Sequence, residues 1–246
     1  MRLGILQTGK VNEALVERFG EYPDMFARLY RAVDPRVEPR SYAVVDGQLP
    51  GAPAECDAWL ITGSRHGVYD LLPWIEPLKE FLRRTRAAGV PIIGICFGHQ
   101  IMAEAFGGRA EKSNKGWGVG VQEYAMGRPP GWMRDAPGRI AVHVLHQDQV
   151  TAAPADATCL ASSSFCEFAM LAYGDVEMPE AISIQSHPEF DEAFMRALVE
   201  RIGGDRIPRE TADAALASLG APVAGIEFVR WSLAWLRAVR ERRAAA

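Results

Sequence analysis

Long apolar runs are missing from this sequence, and so is any concentration of positive charge. No stretch among the 246 residues approaches the roughly 20 consecutive apolar residues that a bilayer-spanning helix requires, so no membrane partner is expected. The chain passes from Met1-Arg2 straight into a short strand-like run, too brief for the apolar part of a signal peptide, which points to a cytoplasmic setting. Lys and Arg total 27 against 31 Asp and Glu, a formal net charge of −4, and no Lys/Arg-rich stripe marks a phosphate footprint. Nucleic acid is therefore not an expected partner. Cysteine is scarce too. The four (Cys56, Cys96, Cys159 and Cys166) contain no Cys-x-x-Cys pair, so no zinc or other metal site is expected, and a chain of this length needs no disulfide staples. Internal repeats and low-complexity linkers are also absent.

What is present is an alternation of strand and helix signals. Leu3–Gln7 (LGILQ), Ala58–Thr62 (AWLIT) and Ile92–Cys96 (IIGIC) read as buried strands. Between them, Asn12–Tyr30 reads as a helix broken at Pro23. Leu72–Ala88 carries Ile75, Leu78 and Leu82 at helical spacing, with Gly89 and Pro91 as stop signals. Such alternation implies right-handed crossovers and a parallel sheet covered on both faces. Past Gly108 the texture changes to short strand candidates separated by Gly, Pro and Asp: Val119–Tyr124, Arg139–Leu145, Thr158–Ser163, Phe168–Tyr173 and Ala181–Gln185. These read as hairpin-like, antiparallel material attached to the parallel sheet. A helix from Glu192 to Ile202 follows, and Pro208–Ala246 holds two helical patterns split at Gly220-Ala221-Pro222. The expected class is α/β: a mostly parallel central sheet with helices on both faces, a small antiparallel sheet and a C-terminal helical appendage. Residues 1–202 are expected to form the domain, and 203–246 an extension packed on it.

The most informative stretch is VPIIGICFGHQIMAEAFGG, residues 90–108. A β-branched apolar run stops at Cys96, flanked by Gly94 and Gly98, and turns directly into a helix. A strand ending in Gly-x-Cys-x-Gly before a helix has the form of a nucleophile elbow. The elbow sets its side chain at the carboxyl end of a parallel strand, where open α/β sheets bind ligands. Glycines are needed because the backbone turns sharply against neighbouring elements. The helix that begins there adds partial positive charge, which activates a thiol and stabilises an oxyanion. Cys56, Cys159 and Cys166 lack this setting and read as small hydrophobes.

A thiolate nucleophile needs a base, and the base needs an orienting group. His187 lies in AISIQSHPEF, also at the end of a strand-like run, and Pro188 forces an extended turn. In extended chain, residues i and i+2 point the same way, so Glu189 is placed to hold the imidazole of His187. His99, although beside the cysteine in sequence, points elsewhere on the helix and reads as a packing residue, as does His143 on its strand.

With these two motifs in view, the sequence resembles the class I (triad) glutamine amidotransferase family. ITGSRHGVYD, GICFGHQIMAEAFGG, SNKGWGVG, LHQDQV and IQSHPEF match it in order, over residues 1 to about 202. The resemblance implies a flavodoxin-like sheet and a Cys-His-Glu triad: Cys96 as nucleophile, His187 as general base and acid, Glu189 as orienter. It implies no metal and no organic cofactor. The electrophile would be the γ-carbonyl of glutamine or of a γ-glutamyl group. Attack there creates an oxyanion, which calls for two backbone N–H donors. Phe97 supplies one at the helix start, and Ser64 is the candidate for the other. Here the sequence departs from the family's commoner Gly-Gly-Pro loop and has Gly63-Ser64-Arg65, so this donor is expected to be placed by induced fit. Gly63, Gln100, Gln147 and Asp148 match positions that line the glutamyl pocket, and His66 and Tyr69 lie in the loop beside it.

Larger family members fuse or dock the domain onto a synthetase that consumes the released ammonia; the residues after the match are too few for one. Phe228, Trp231, Trp235, Leu236 and Val239 form an amphipathic stripe, expected to pack on the domain. The alternative is that it docks a partner or a second copy in a homo-oligomer. Arg230, Arg237, Arg240, Arg242 and Arg243 read as its solvated face. The segments TGSRHGVYD, NKGWGVG and HQD look similar to the stand-alone GMP-synthase-like and γ-glutamyl peptidase subgroup. The expected activity is hydrolysis of the γ-amide of glutamine or of a γ-glutamyl bond through a cysteine thioester. The alternatives are an ammonia donor for a separate synthetase partner and a non-catalytic protein that binds glutamine in a regulatory role.

Overall fold

The computed structural model describes residues 1–244. β1 (Arg2–Leu6), buried at every position after Arg2, leads through α1 (Glu13–Phe19) and α2 (Tyr22–Val33) to β2 (Glu38–Tyr42). β3 (Ala58–Ile61), α3 (Ile75–Ala87), β4 (Ile92–Ile95) and α4 (Phe97–Ala105) follow. Then come β5 (Arg109–Lys112), β6 (Gly118–Met126), β7 (Arg139–His146), β8 (Asp148–Ala152), β9 (Ala157–Ser162), β10 (Met170–Tyr173) and β11 (Ala181–Ile184). The chain finishes with α5 (Glu192–Ile202), α6 (Arg209–Ser218) and α7 (Gly225–Ala244).

Nine strands form one sheet in the order β2-β1-β3-β4-β11-β10-β9-β6-β7. From β2 to β11 every neighbouring pair is parallel. The order 2-1-3-4 is that of a flavodoxin-like sheet. β3, β4 and β11 are buried throughout, as strands covered on both faces must be, and their sequences are correspondingly almost unbroken apolar runs. One face packs Leu3, Ile5, Ile93 and Ile182 against Phe26 and Tyr30 of α2 and Phe228 and Trp235 of α7. The other packs Trp59, Ile92 and Leu171 against Phe81 and Leu82 of α3 and Ile101 of α4.

Several elements differ from the sequence expectation, each for a local reason. The break in the first helical region lies at Gly20, whose φ of 79° ends α1. Pro23 instead sits in the first turn of α2, where its missing N–H costs nothing. Pro73 disfavours helical backbone at Leu72, and after a turn at 72–75 α3 starts at Ile75. β2 (EPRSY) is an edge strand with a polar, proline-containing sequence and carries no apolar alternation to signal it. The small antiparallel sheet is built from β5 and β8, also polar. β6, β7, β9 and β10 continue the central sheet as an antiparallel extension. Ala181–Ile184 is not purely hairpin material: it is antiparallel to β10 but parallel to β4.

The apolar stripe of α7 is packed on its own chain. Tyr30 Oη and Ser232 Oγ are 3.0 Å apart, and Trp235 Nε1 donates to the Pro179 carbonyl at 2.9 Å. Arg237 reaches Asp34 at 2.9 Å. Just before α7, the Ala224 N–H donates to the Ala141 carbonyl, covering part of the otherwise open edge of β7.

Candidate active site

Cys96 stands between β4 and α4 with φ 49° and ψ −100°, a left-handed backbone that a residue with a Cβ adopts only under constraint. The constraint is visible on both sides. A Cβ on Gly94 would lie 2.6 Å from the Gly98 carbonyl oxygen, and one on Gly98 would lie 2.6 Å from that of Ile61. The strand, elbow and helix can therefore cross only with glycine at both positions. The Cys96 N–H continues the parallel ladder by donating to Ile184 of β11 at 2.9 Å, which ties the elbow to the neighbouring strand.

Beyond the end of β11, the chain delivers Gln185, His187 and Glu189. His187 Nδ1 lies 2.8 Å from Glu189 Oε1, with both side chains buried. Burial alone favours a neutral imidazole, but the Glu189 carboxylate and a Cys96 thiolate outweigh it and push the His187 pKa up to about 10. With Nδ1 turned to the carboxylate, Nε2 is left for the thiol. A Cβ on Gly63 would sit 2.8 Å from His187 Cε1 and 3.7 Å from Cys96 Cβ, so this glycine occupies the narrow space beside the pair. The aligned partner of Sγ is Gln185 Nε2, at 3.5 Å.

Of the two expected oxyanion donors, Ser64 lies in the loop after β3 and Phe97 opens α4. Among the described contacts, neither the Ser64 nor the Phe97 N–H has an acceptor within the chain. The loop that carries Ser64 is firmly held. Thr8 Oγ1 donates to the Thr62 carbonyl at 2.9 Å and to the Gly63 carbonyl at 3.3 Å. A Cβ on Gly9 would meet that same Gly63 oxygen at 2.8 Å. In a trans peptide the C=O and the following N–H point opposite ways, so anchoring the Gly63 carbonyl also fixes the direction of the Ser64 N–H. The Gly-Ser-Arg loop thus has its own buttress in place of the rigidity a proline would lend.

Gln100 is buried, and its Nε2 donates to the Asp148 carbonyl at 2.9 Å and to Gln185 Oε1 at 3.2 Å. Gln147 joins the surroundings through its backbone, its carbonyl accepting from the Ser113 N–H at 3.2 Å. The Asp148 carboxylate accepts from Tyr69 Oη at 2.9 Å. His66 is paired with Asp70 at 3.6 Å instead of joining this cluster. His99 lies apart, hydrogen-bonded to Ser183 at 2.7 Å, and burial pushes its pKa down to about 3, so it stays neutral. His146, buried behind the site, is likewise pushed down to about 4. Among the described residues no group of three or more His, Cys, Asp and Glu side chains could hold a metal ion.

Three residues of this neighbourhood are not apparent from motifs. Gln185 faces Sγ because it follows β11 directly, opposite Cys96 in the parallel register. Phe190 stacks on the imidazole. Tyr22 stacks on Phe190 at 6.1 Å, arriving from a helix remote in sequence with no local signal at all.

Fold and site together define a class: an α/β domain that presents a strained cysteine at the carboxyl edge of a parallel sheet, facing a His–Glu pair from the adjacent strand. The family model for glutamine amidotransferase class-I matches residues 41–198, and the chain belongs to that family. Gamma-glutamyl peptidase 3 of Arabidopsis thaliana is 31% identical over 65% of this chain and 66% of its own length. The glutamine-hydrolysing GMP synthase component of Methanothrix thermoacetophila is 27% identical over 71% of this chain and 87% of its own. A solved glutamine amidotransferase from Thermotoga maritima superposes with a TM-score of 0.75, covering 97% of this chain and 98% of that one, at 19% identity. At that identity the structural likeness speaks for the fold. Among the described residues no helix is long and apolar enough to cross a membrane.

Proposed function

We propose that this chain hydrolyses γ-glutamyl bonds through a thioester on Cys96. The observation that carries the reading is the elbow itself: a cysteine held at φ 49° beside a buried His187–Glu189 pair, with two unpartnered N–H groups flanking it. The Cys96 thiolate attacks the γ-carbonyl carbon, and the resulting oxyanion is received by the Ser64 and Phe97 N–H groups. The imidazolium of His187 gives its proton to the leaving nitrogen as the C–N bond breaks, leaving the γ-glutamyl thioester. Water enters, His187 takes one of its protons, and the hydroxide attacks the thioester. Collapse releases glutamate, returns the thiolate, and leaves the proton on His187 for the next cycle. Glu189 holds the ring through Nδ1 throughout. Gly63, Gln100, Gln147 and Asp148 would surround the glutamyl group, with Gln185 steering the thiol. No step draws on a cofactor, and the free state of all four cysteines suits a cytoplasmic setting.

Relatives named gamma-glutamyl peptidase support an amine leaving group larger than ammonia. The GMP synthase relative favours a second reading, in which residues 1–202 release ammonia to a separate synthetase. A panel of free glutamine, γ-glutamyl dipeptides and glutathione decides between them. Turnover of γ-glutamyl dipeptides well above glutamine, lost in Cys96→Ala, is the expected result. Preference for glutamine, stimulated by a co-purifying protein, would establish the second reading. Turnover retained in Cys96→Ala would remove the elbow from the mechanism.

A further inference from the structure

Phe190 lies flat on the imidazole of His187, with ring centroids 4.0 Å apart and planes 5° from parallel. Two neutral aromatic rings avoid a face-to-face sandwich because their electron-rich faces repel. A protonated imidazole over a benzene face is attracted instead. The stack therefore suits one protonation state of His187 better than the other. It is also held in place. The His187 N–H donates to the His143 carbonyl at 2.9 Å, and His143 Nδ1 lies 2.9 Å from the Phe190 carbonyl. A carbonyl only accepts, so His143 Nδ1 carries the proton and donates. His143 thus fastens both ends of the 187–190 turn to β7. Phe194 backs the Phe190 ring edge-on at 4.7 Å.

We propose that Phe190, fastened to β7 by His143, is a positioning residue: its ring holds the His187 imidazole in the plane that faces Cys96 and favours its protonated form. The inference rests on His187 being the acid–base group. The titratable and charged groups around His187 are Cys96 at the elbow, Glu189 in its own turn, His143 and His146 on β7, Tyr22 on α2, and, near Tyr22, Glu21 before α2 and Arg206 after α5. Glu189 and the Cys96 thiolate favour the cation, and His146 stays neutral by burial. Glu189 fixes the direction of Nδ1, and the flat contact fixes the tilt of the ring about that bond.

The test is an NMR titration of the His187 ring C–H resonance, assigned by its loss in His187→Gln, across the native protein, Phe190→Leu and Phe190→Tyr. Leucine fills the space without a π face; tyrosine keeps it. Phe190→Leu is expected to lower the midpoint by about one pH unit, while Phe190→Tyr stays within a few tenths. The alkaline limb of kcat/KM should move with it. Equal midpoints in all three proteins overturn the proposal, and so does an equal fall in both variants. Should Phe190→Leu fail to fold, His143→Val and His143→Asn replace it: valine cannot donate to the Phe190 carbonyl, whereas the asparagine amide can. A lowered midpoint in His143→Val, restored in His143→Asn, is then expected, and no change in either refutes the staple. The resonance reports on the imidazole whether or not any substrate turns over. An inactive native protein would sink the hydrolase reading and leave the titration to judge the stack.

Discussion

Replacing Glu189 with Gln removes a charge from the site while keeping its shape. In the native pair, Glu189 Oε1 accepts from His187 Nδ1 at 2.8 Å, and both side chains are buried. A buried hydrogen bond to a charged acceptor contributes roughly 1.5–3 kcal/mol, against about 1 kcal/mol for a neutral one. The imidazolium should therefore lose about 1–2 kcal/mol of support, which corresponds to about one pH unit. The sign follows from which form the carboxylate favours. Without it the imidazolium gives up its proton at lower pH, so the alkaline limb of kcat/KM, set by a His187 pKa of about 10, moves downward. At neutral pH kcat/KM should fall by roughly 10²–10⁴-fold, because the amide also fails to enforce one tautomer. Stability at acid pH is set by two opposed effects. Glu189 Oε2 is buried without a partner among the described residues, so the native carboxylate carries an uncompensated desolvation cost that glutamine lessens. That saving is smaller than the cost of leaving the buried imidazolium without its charged partner, so the Tm at pH 6 is expected to fall along with activity. Because the folded-state pKa of His187 is raised, its contribution to stability is full below pH 6.5 and is lost as pH climbs towards 10. That decline should be shallower in Glu189→Gln. An alkaline limb in the native position, with kcat/KM within about threefold of native, would refute the charge-based account.

Three further outcomes are expected. Gly98→Ala places a Cβ 2.6 Å from the Ile61 carbonyl oxygen and should cost about 1–3 kcal/mol in urea unfolding while reducing thiol reactivity at Cys96; a neutral effect on both would show that the elbow is not packed as described. A glutamine-analogue electrophile should label Cys96 alone, although Cys159 is the exposed thiol, and peptide mapping that finds the label chiefly on Cys159 would count against an activated elbow. Trp235→Ala, which empties a fully buried position on α7 and orphans the Pro179 carbonyl, should lower stability by about 3–5 kcal/mol; a loss under about 1 kcal/mol would mean the helix contributes little to the core.

What was legible in the sequence was whatever local chemistry advertises. IIGIC reads as a buried strand because a parallel strand covered on both faces has no reason to alternate, and the Gly-Cys-Gly turn follows from the sterics of a single crossing. The stripe on α7 is visible because 3.6-residue periodicity and burial coincide there. EPRSY and RAEK were not legible. Both are strands through backbone pairing alone, one at the sheet edge and one in a two-stranded ribbon, and neither buries enough side chain to leave a pattern. Within the site, the nearness of His187 and Glu189 was legible but not its form. They meet across a tight turn closed by the Phe190 N–H donating to the His187 carbonyl at 3.3 Å, not along extended chain. Tyr22 reaches Phe190 only because α2 lies across that end of the sheet.

The encounter of Cys96 with His187 is a consequence of strand direction. A chain that simply continued from β10 in a hairpin would leave β11 antiparallel to its neighbour on that side, as it is, and nothing more. What matters is the other side. β11 inserts next to β4 and runs parallel to it, pairing Ile95 with Ile184, so both strands end at the same edge of the sheet and at the same height. The next residues along each, Cys96 and Gln185, then face one another, and a bend at Gln185 and Ser186 carries the chain on to His187. An antiparallel β11 would send residue 187 to the opposite edge of the sheet, separated from the thiol by the length of the strand, about 3.3 Å per residue. The meeting of these side chains thus rests on one parallel pairing, and substitutions that weaken the β4–β11 ladder should cost activity before they cost the fold.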